Sequence, residues 1–291
     1  MAEIIGFIGL GIMGGHMARQ LSEKRKVIAF DIDQTRMAAL DKAEKAQSVK
    51  EVAEKANVAL LSLPNSNIVK QVVLGVDGLS SGLPSGAVLI DTSTTEPSVS
   101  QEIAKALAEQ GVDFMDAPVS GGEGAARDAS LAIMAGGEHA VFDRYKPILE
   151  IIGASVVRVG DVGMGGVTKL VNNMIVGATF AVIAEGFALG KANGVDPKAL
   201  YEAIKDGWAG SKVLSVAGPG IIDRNFKPGG TIDILFKDIG YALSLARTHN
   251  VPVPMTAMSD EVFKAARASG RGGQAQQVII ELWENLLGLS A

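Results

Sequence analysis

The chain has 291 residues, 47% of them hydrophobic, enough for two ordinary domains that each bury a core. It contains no cysteine, which excludes a disulfide framework, thiolate zinc ligands and a cysteine nucleophile together. A formal charge of -5 opposes a nucleic-acid partner, because phosphate binding calls for a basic excess that is missing, and an anionic ligand would need a local basic pocket.

The opening MAEIIGFIGLG carries an acid at Glu3 and runs straight into a glycine motif, without a basic stretch or a small-residue cleavage site, so it is read as the first strand of a cytoplasmic protein. The β-rich runs IIGFIG, KVIAFD, VALLSL, AVLID and VDFMDAP follow one another with helix-patterned segments between most of them. That alternation predicts a parallel, doubly wound α/β sheet. SLAIMAGG and SVVRVG, on either side of the helix-like EHAVFDRYKPILEII, extend the sheet to about Gly160. From about Thr168 to Ala192 there is one long apolar helix pattern, ended by Asn193 and Gly194. Asn172, Asn173 and Glu185 interrupt it well short of a span of about 20 apolar residues, which favours a helix buried in protein over a membrane segment. The segments VDPKALYEAIKDG, TIDILFKDIGYALSLARTHN and PMTAMSDEVFKAARASG then show apolar positions three or four apart, each ending near Gly or Asn. The domain boundary is expected near Val162, giving residues 1–162 to a sheet domain and 163–291 to an all-helical one.

Gly9, Gly11 and Gly14, with Ile12 and Met13 between them, form GLGIMG after the first strand and before the helix pattern MGGHMARQLSE. In that context the first glycine permits a tight turn, the second a close approach to a pyrophosphate, and the third close helix–strand packing. Asp31 ends the second strand, where a carboxylate accepts hydrogen bonds from ribose hydroxyls and repels a 2′-phosphate, favouring NAD over NADP; Arg36 nearby could tolerate the phosphate, and Asp31 could equally cap a helix. Leu63 and Pro64 after VALLSL, and Thr94 after AVLID, stand at carboxyl ends of strands, where ligands of such sheets bind. Ser93, Thr94 or Thr95 would also suit the cap of the helix PSVSQEIAKALAEQ.

DAPVSGG ends a strand in Ser120, Gly121 and Gly122, a composition that can turn successive N–H groups towards an anion such as a substrate carboxylate, or form a plain β-turn. In GMGGVTKLVNN, Lys169, Asn172 and Asn173 lie at i, i+3 and i+4 and share one helix face. A lysine enclosed by apolar groups has its charged form disfavoured, which suits general acid–base work, with Asn173 holding the reacting oxygen. An exposed lysine in a first helical turn is the alternative. Lys237 and Asp238 in FKDIGYAL open a helix in this reading, where a lysine opposes the helix dipole unless an anion or Asp238 pairs with it. His16, His139 and His249 show no metal-ligand spacing, no metal is expected, and Trp208 and Tyr241 are read as packing residues.

With GLGIMG, DAPVSGG, GMGGVTKLVNN and FKDIG in this order, the chain resembles the β-hydroxyacid dehydrogenase family, along nearly its whole length. The resemblance implies an N-terminal Rossmann domain, a long interdomain helix, an all-helical C-terminal domain with the active site in the cleft between domains, and a homodimer or homotetramer. It implies further that Lys169 is the catalytic acid/base, that Asn173 binds substrate, and that Ser120, Gly121 and Gly122 hold its carboxylate. Lys237 would lie beside nicotinamide and substrate, and Leu63, Pro64 and Thr94 would touch the cofactor. Gln20 stands where the family usually has asparagine, and Ala129 and Ser130 where it has a Gly-Thr pair. Hydride transfer between NAD and a small β-hydroxy acid is the expected reaction. A family reductase of a phosphorylated sugar acid or an imine, or a non-catalytic dinucleotide binder, is the rival reading.

Overall fold

The computed structural model describes residues 3–289, so Met1 and Ala2 of the opening stretch lie outside the described residues. The chain divides into two compact units, Met1–Lys169 and Leu170–Ala291. In the first, β1 (Ile4–Ile8), α1 (Ile12–Ser22), β2 (Lys26–Phe30), α2 (Gln34–Ala38), β3 (Glu44–Lys45), α3 (Val49–Lys55), β4 (Val58–Leu61), α4 (Ser66–Leu74), β5 (Val88–Asp91), α5 (Pro97–Ala108) and β6 (Asp113–Asp116) alternate. They are followed by β7 (Val119–Ser120), α6 (Gly122–Arg127), β8 (Leu131–Gly136), α7 (His139–Leu149) and β9 (Gly153–Gly160).

The described strands form one sheet in the order β3-β2-β1-β4-β5-β6-β8-β7, with β9 paired to β8. Its parallel part, β3 to β6, has the 3-2-1-4-5-6 order of a dinucleotide-binding sheet. Along β4 and β5 the side chains alternate between two cores. Val58, Leu60, Val88 and Ile90 pack with Met17 and Leu21 of α1 and Phe142 of α7. Ala59, Leu61 and Leu89 pack with Val52 of α3, Val69 of α4 and Ile103 of α5. Strands apolar on both faces need helices on both faces, which is why these runs read as continuous hydrophobic stretches. The expectation of a parallel sheet needs one correction, because β8 runs antiparallel to β6 and β7. Residues 117–130 between β6 and β8 hold β7 and α6, and the chain folds back so that β7 itself pairs antiparallel with β8.

The long helix α8 (Met164–Ala192) begins in the first unit and runs into the second. It is followed by α9 (Pro197–Ile204), α10 (Lys212–Ile222), α11 (Ile232–Thr248), α12 (Pro254–Ala268) and α13 (Ile280–Leu287). Phe180, Ala184 and Phe187 of α8 pack with Leu214 and Ile221 of α10, Leu235 and Ile239 of α11, and Phe263 of α12 in the core of the helical unit. By length and composition α8 could cross a membrane, but this buried stripe is that of a core helix. It starts four residues before the Thr168 expected from its apolar pattern, because Gly165 and Gly166 are helical despite their low propensity.

Candidate active site

The glycine turn has the geometry its motif requires. Gly9 has φ +92°, and a Cβ there would stand 2.3 Å from the Ser62 carbonyl oxygen. A Cβ on Gly14 would stand 1.9 Å from the Gly9 carbonyl oxygen, so this position fixes how closely α1 approaches the turn. Gly11 precedes α1, and a Cβ there would meet nothing nearer than the Arg36 guanidinium at 3.9 Å, which leaves the ground above the turn open. Ile12 is exposed, and Met13 is partly buried against the sheet core. The Leu10 N–H donates to Asp31 Oδ2 at 2.6 Å and the Asp33 N–H to Asp31 Oδ1 at 2.8 Å, which tie the end of β2 to the turn. Asp31 does not cap α2. Asp33 does, accepting from the Thr35 N–H, because it is the residue directly ahead of the first turn. Arg36 Nη1 lies 3.8 Å from Asp31 and its Nε 3.2 Å from Asp33.

Leu63 and Pro64 follow β4 directly, and the Leu63 N–H donates to Ser93 Oγ at 2.8 Å. Thr94 is half-buried beyond β5. None of Ser93, Thr94 and Thr95 caps α5. Glu96 takes that place without a side-chain bond, its N–H donating to Ser66 Oγ at 3.0 Å, while Ser93 serves Leu63 and Thr95 donates to Asp91 Oδ2 at 2.6 Å. Ser120 closes β7, and Gly121 and Gly122 follow with φ +138° and +71°, conformations that suit glycine. Both glycines are exposed, and a Cβ on Gly122 would meet nothing within 4 Å. Glycine turn, Asp31, Leu63, Pro64, Thr94 and the Ser120 loop all belong to the sheet unit.

Lys169 is half-buried on α8 and is the last residue of that unit. One turn further along, Asn173 is buried, and its Nδ2 donates to Asp238 Oδ2 on α11 at 2.6 Å while its Oδ1 accepts from Asn172 Nδ2 at 2.9 Å. Lys237 Nζ lies 2.9 Å from Asp238 Oδ1 and 4.8 Å from the centre of the Tyr241 ring. Asp238 therefore joins Asn173 to Lys237 within the helical unit. Its pairing with Lys237 was open in the sequence; its bond to Asn173, 65 residues away, carries no sequence signal. Lys237 does not open its helix either. α11 begins at Ile232 behind a Thr231 cap, which places Lys237 in the second turn, where the dipole argument loses its force. Trp208 is likewise no packing residue, since it is fully exposed in the turn between α9 and α10.

Comparison with known proteins decides the family. The model of the NAD binding domain of 6-phosphogluconate dehydrogenase matches residues 4–160, and that of the NAD-binding domain of NADP-dependent 3-hydroxyisobutyrate dehydrogenase matches residues 163–283. The chain is 38% identical to 2-(hydroxymethyl)glutarate dehydrogenase of Eubacterium barkeri, over 98% of this chain and 96% of that one. The chain belongs to the β-hydroxyacid dehydrogenase family. Among other members of the family, 2-hydroxy-3-oxopropionate reductase of Escherichia coli is 32% identical over 96% of this chain and 97% of its own. The crystal structure of 3-hydroxyisobutyrate dehydrogenase from Salmonella typhimurium superposes with a TM-score of 0.88 at 27% identity, covering 96% of this chain and 99% of that one. The N-terminal Rossmann domain and the helical C-terminal domain are thus those of this family.

Proposed function

We propose that the protein transfers a hydride between NAD(H) and a small β-hydroxy acid or its semialdehyde, with Lys169 as general acid/base. The observation that carries this reading is the match, along 96–98% of the chain, to a dehydrogenase and a reductase of small hydroxy acids, with the glycine turn open above Gly11. Gly9, Gly11, Ile12, Met13 and Gly14 would hold the dinucleotide's pyrophosphate, with Leu63, Pro64 and Thr94 as further contacts. A bound nicotinamide supplies the hydride acceptor or donor. In oxidation Lys169 takes the hydroxyl proton as an amine; in reduction it returns that proton as an ammonium to the developing alkoxide. Ser120, Gly121 and Gly122 bind the substrate carboxylate through backbone N–H groups and the serine hydroxyl. Asn173 donates a hydrogen bond to substrate, and Lys237 adds positive charge beside substrate and cofactor.

NAD is favoured over NADP because Arg36, the cation near the ribose end of the turn, is engaged by Asp31 and Asp33. The boundary between the two functional domains falls near Val162, ahead of α8. We place the protein in the cytoplasm, as a homodimer or homotetramer. Val171, Ile175, Val182 and Leu189 support the assembly: they form one exposed apolar stripe on α8 that a second copy would cover. The test of the activity is a screen at the nicotinamide absorbance, run with both cofactors. 2-(Hydroxymethyl)glutarate and 3-hydroxyisobutyrate are offered for oxidation and 2-hydroxy-3-oxopropionate for reduction. Turnover of at least one with NAD is expected, and turnover of none would reject the reading.

A further inference from the structure

Among the buried carboxylates that the proposed chemistry leaves unused, Asp116 lies nearest in the chain to the Ser120 loop. Asp116 ends β6 and is 2% exposed, and both of its carboxylate oxygens are taken up by backbone amides. Its Oδ1 accepts from the Gly163 N–H and its Oδ2 from the Gly166 N–H, both at 2.7 Å. Gly163 directly precedes α8 and Gly166 lies in its first turn, where the N–H groups have no partner within the helix. One carboxylate thus spans the start of the helix, where its charge also complements the helix dipole.

The surrounding backbone is built to let this happen. A Cβ on Gly165 would stand 2.4 Å from the Met134 carbonyl oxygen and 2.6 Å from that of Asp116. A Cβ on Gly136, across the junction on β8, would stand 2.6 Å from Asp116 Oδ1 and 2.7 Å from the Gly165 nitrogen. The glycines of GMGG therefore serve a close approach between helix and sheet, and the approach is centred on Asp116. Lys169 lies three residues beyond Gly166, about 4.5 Å of helical rise away. Asp116 also lies four residues before Ser120 on the same run of chain. A single strand end thus anchors both the helix turn that carries the lysine and the loop assigned to the substrate carboxylate.

We infer that Asp116 is a positioning residue for catalysis: by holding the Gly163 and Gly166 amides it sets where the first turn of α8 presents Lys169 relative to the Ser120 loop. This rests on the reading of Lys169 as the acid/base. The arrangement is costly, which argues that it is kept for more than capping. Asp91 on β5 lies in register with Asp116 and is itself fully buried, held by the Ser93 N–H and the Thr95 hydroxyl. Burial, with repulsion from Asp91 added, pushes Asp116 up to about 7 against the pull of its two N–H bonds. A capping serine or asparagine would avoid that cost, but neither places two equivalent acceptors under two amides.

The experiment is a double-mutant cycle on the full-length protein with the hydroxy acid that it turns over best. D116N keeps the size of the side chain but turns an NH₂ group towards one of the two amides. G166A is the gentler companion, since its Cβ would lie 3.1 Å from the Thr95 carbonyl oxygen and 3.7 Å from Asp116 Oδ2, and so displaces the turn by tenths of an ångström. Each variant is expected to lower kcat about tenfold, because sub-ångström misplacement of a reacting group already has a cost of that order. KM for the hydroxy acid and the affinity for NADH should stay within about threefold of wild type. In the K169A background neither change should lower the residual rate further. The same fold loss in both backgrounds, or no loss in either variant, would overturn the inference while leaving Lys169 in place; should D116N fail to fold, G166A decides. A K169A protein as active as wild type would instead remove Lys169 from the mechanism, and this inference with it.

Discussion

The two units of the molecule hold their buried carboxylates in different ways. In the sheet unit, backbone amides do most of the holding: Asp31 takes the N–H groups of Leu10 and Asp33, Asp91 that of Ser93, and Asp116 those of Gly163 and Gly166. In the helical unit the partners are side chains, Asn173 and Lys237 for Asp238, and Lys191 and Arg224 for Glu284. The reason is geometric. Turns at the ends of parallel strands and the first turns of helices leave N–H groups unpaired, whereas a helix interior has already spent its own on the ladder. A carboxylate in the first setting shapes the backbone that meets a ligand, and one in the second ties helices together.

This contrast can be tested by removing one carboxylate at a time. The largest expected effect is on the pH dependence of Asp116. Its folded value, raised to about 7 from 3.8, means that the fold favours the protonated form. Its contribution to stability is therefore fully present below about pH 4 and is lost as the pH rises to about 7. The Tm of wild type minus that of D116N should fall across this window, and a flat difference would show that Asp116 titrates normally. In the helical unit, E284A should cost about 2–3 kcal/mol in urea unfolding, since it leaves Lys191 and Arg224 half-buried without their shared partner. A cost below about 0.5 kcal/mol would reduce this pair to the rank of a surface contact.

In the sheet unit, by contrast, D31N should cost function more than stability. The ratio of kcat/KM for NAD to that for NADP should fall about tenfold, about 1.4 kcal/mol, as the charge that repels a 2′-phosphate is removed. An unchanged ratio would shift cofactor choice away from Asp31. The smallest effect is expected at Ala129, which has φ +53° where the family usually has glycine. A129G should stabilise the protein by about 0.5–1 kcal/mol by relieving a left-handed alanine, and a loss of stability would contradict this account.

The same contrast governs how much was legible in the sequence. The parallel strands of the sheet unit announce themselves because both of their faces are buried, and the glycine turn because Gly9 and Gly14 do steric work that no other residue can do. The two-residue strand Glu44–Lys45 is exposed and too short to carry a pattern. Helix α10 is hidden by Gly218, Pro219 and Gly220, which look like a breaker. Yet a Cβ on Gly218 would stand 2.4 Å from the Tyr201 ring, so that glycine is there for packing. Gln20, unusual for the family, donates to the Arg127 carbonyl at 2.6 Å and so ties α1 to the end of α6, a structural role with no periodic signature. Lys169 and Asn173 could be singled out because polar groups are conspicuous on an apolar helix. Asp238 as the partner of Asn173 could not, because nothing local marks a partner 65 residues away.

The central claim is that the amine of Lys169 moves the proton while the glycine turn and Asp31 hold the dinucleotide. The most direct measurement pairs kcat of K169A with its affinity for NADH, read by fluorescence titration. The account predicts a fall in kcat of about 10² to 10⁴ with an unchanged dissociation constant for NADH. Turnover retained in full by K169A would contradict it.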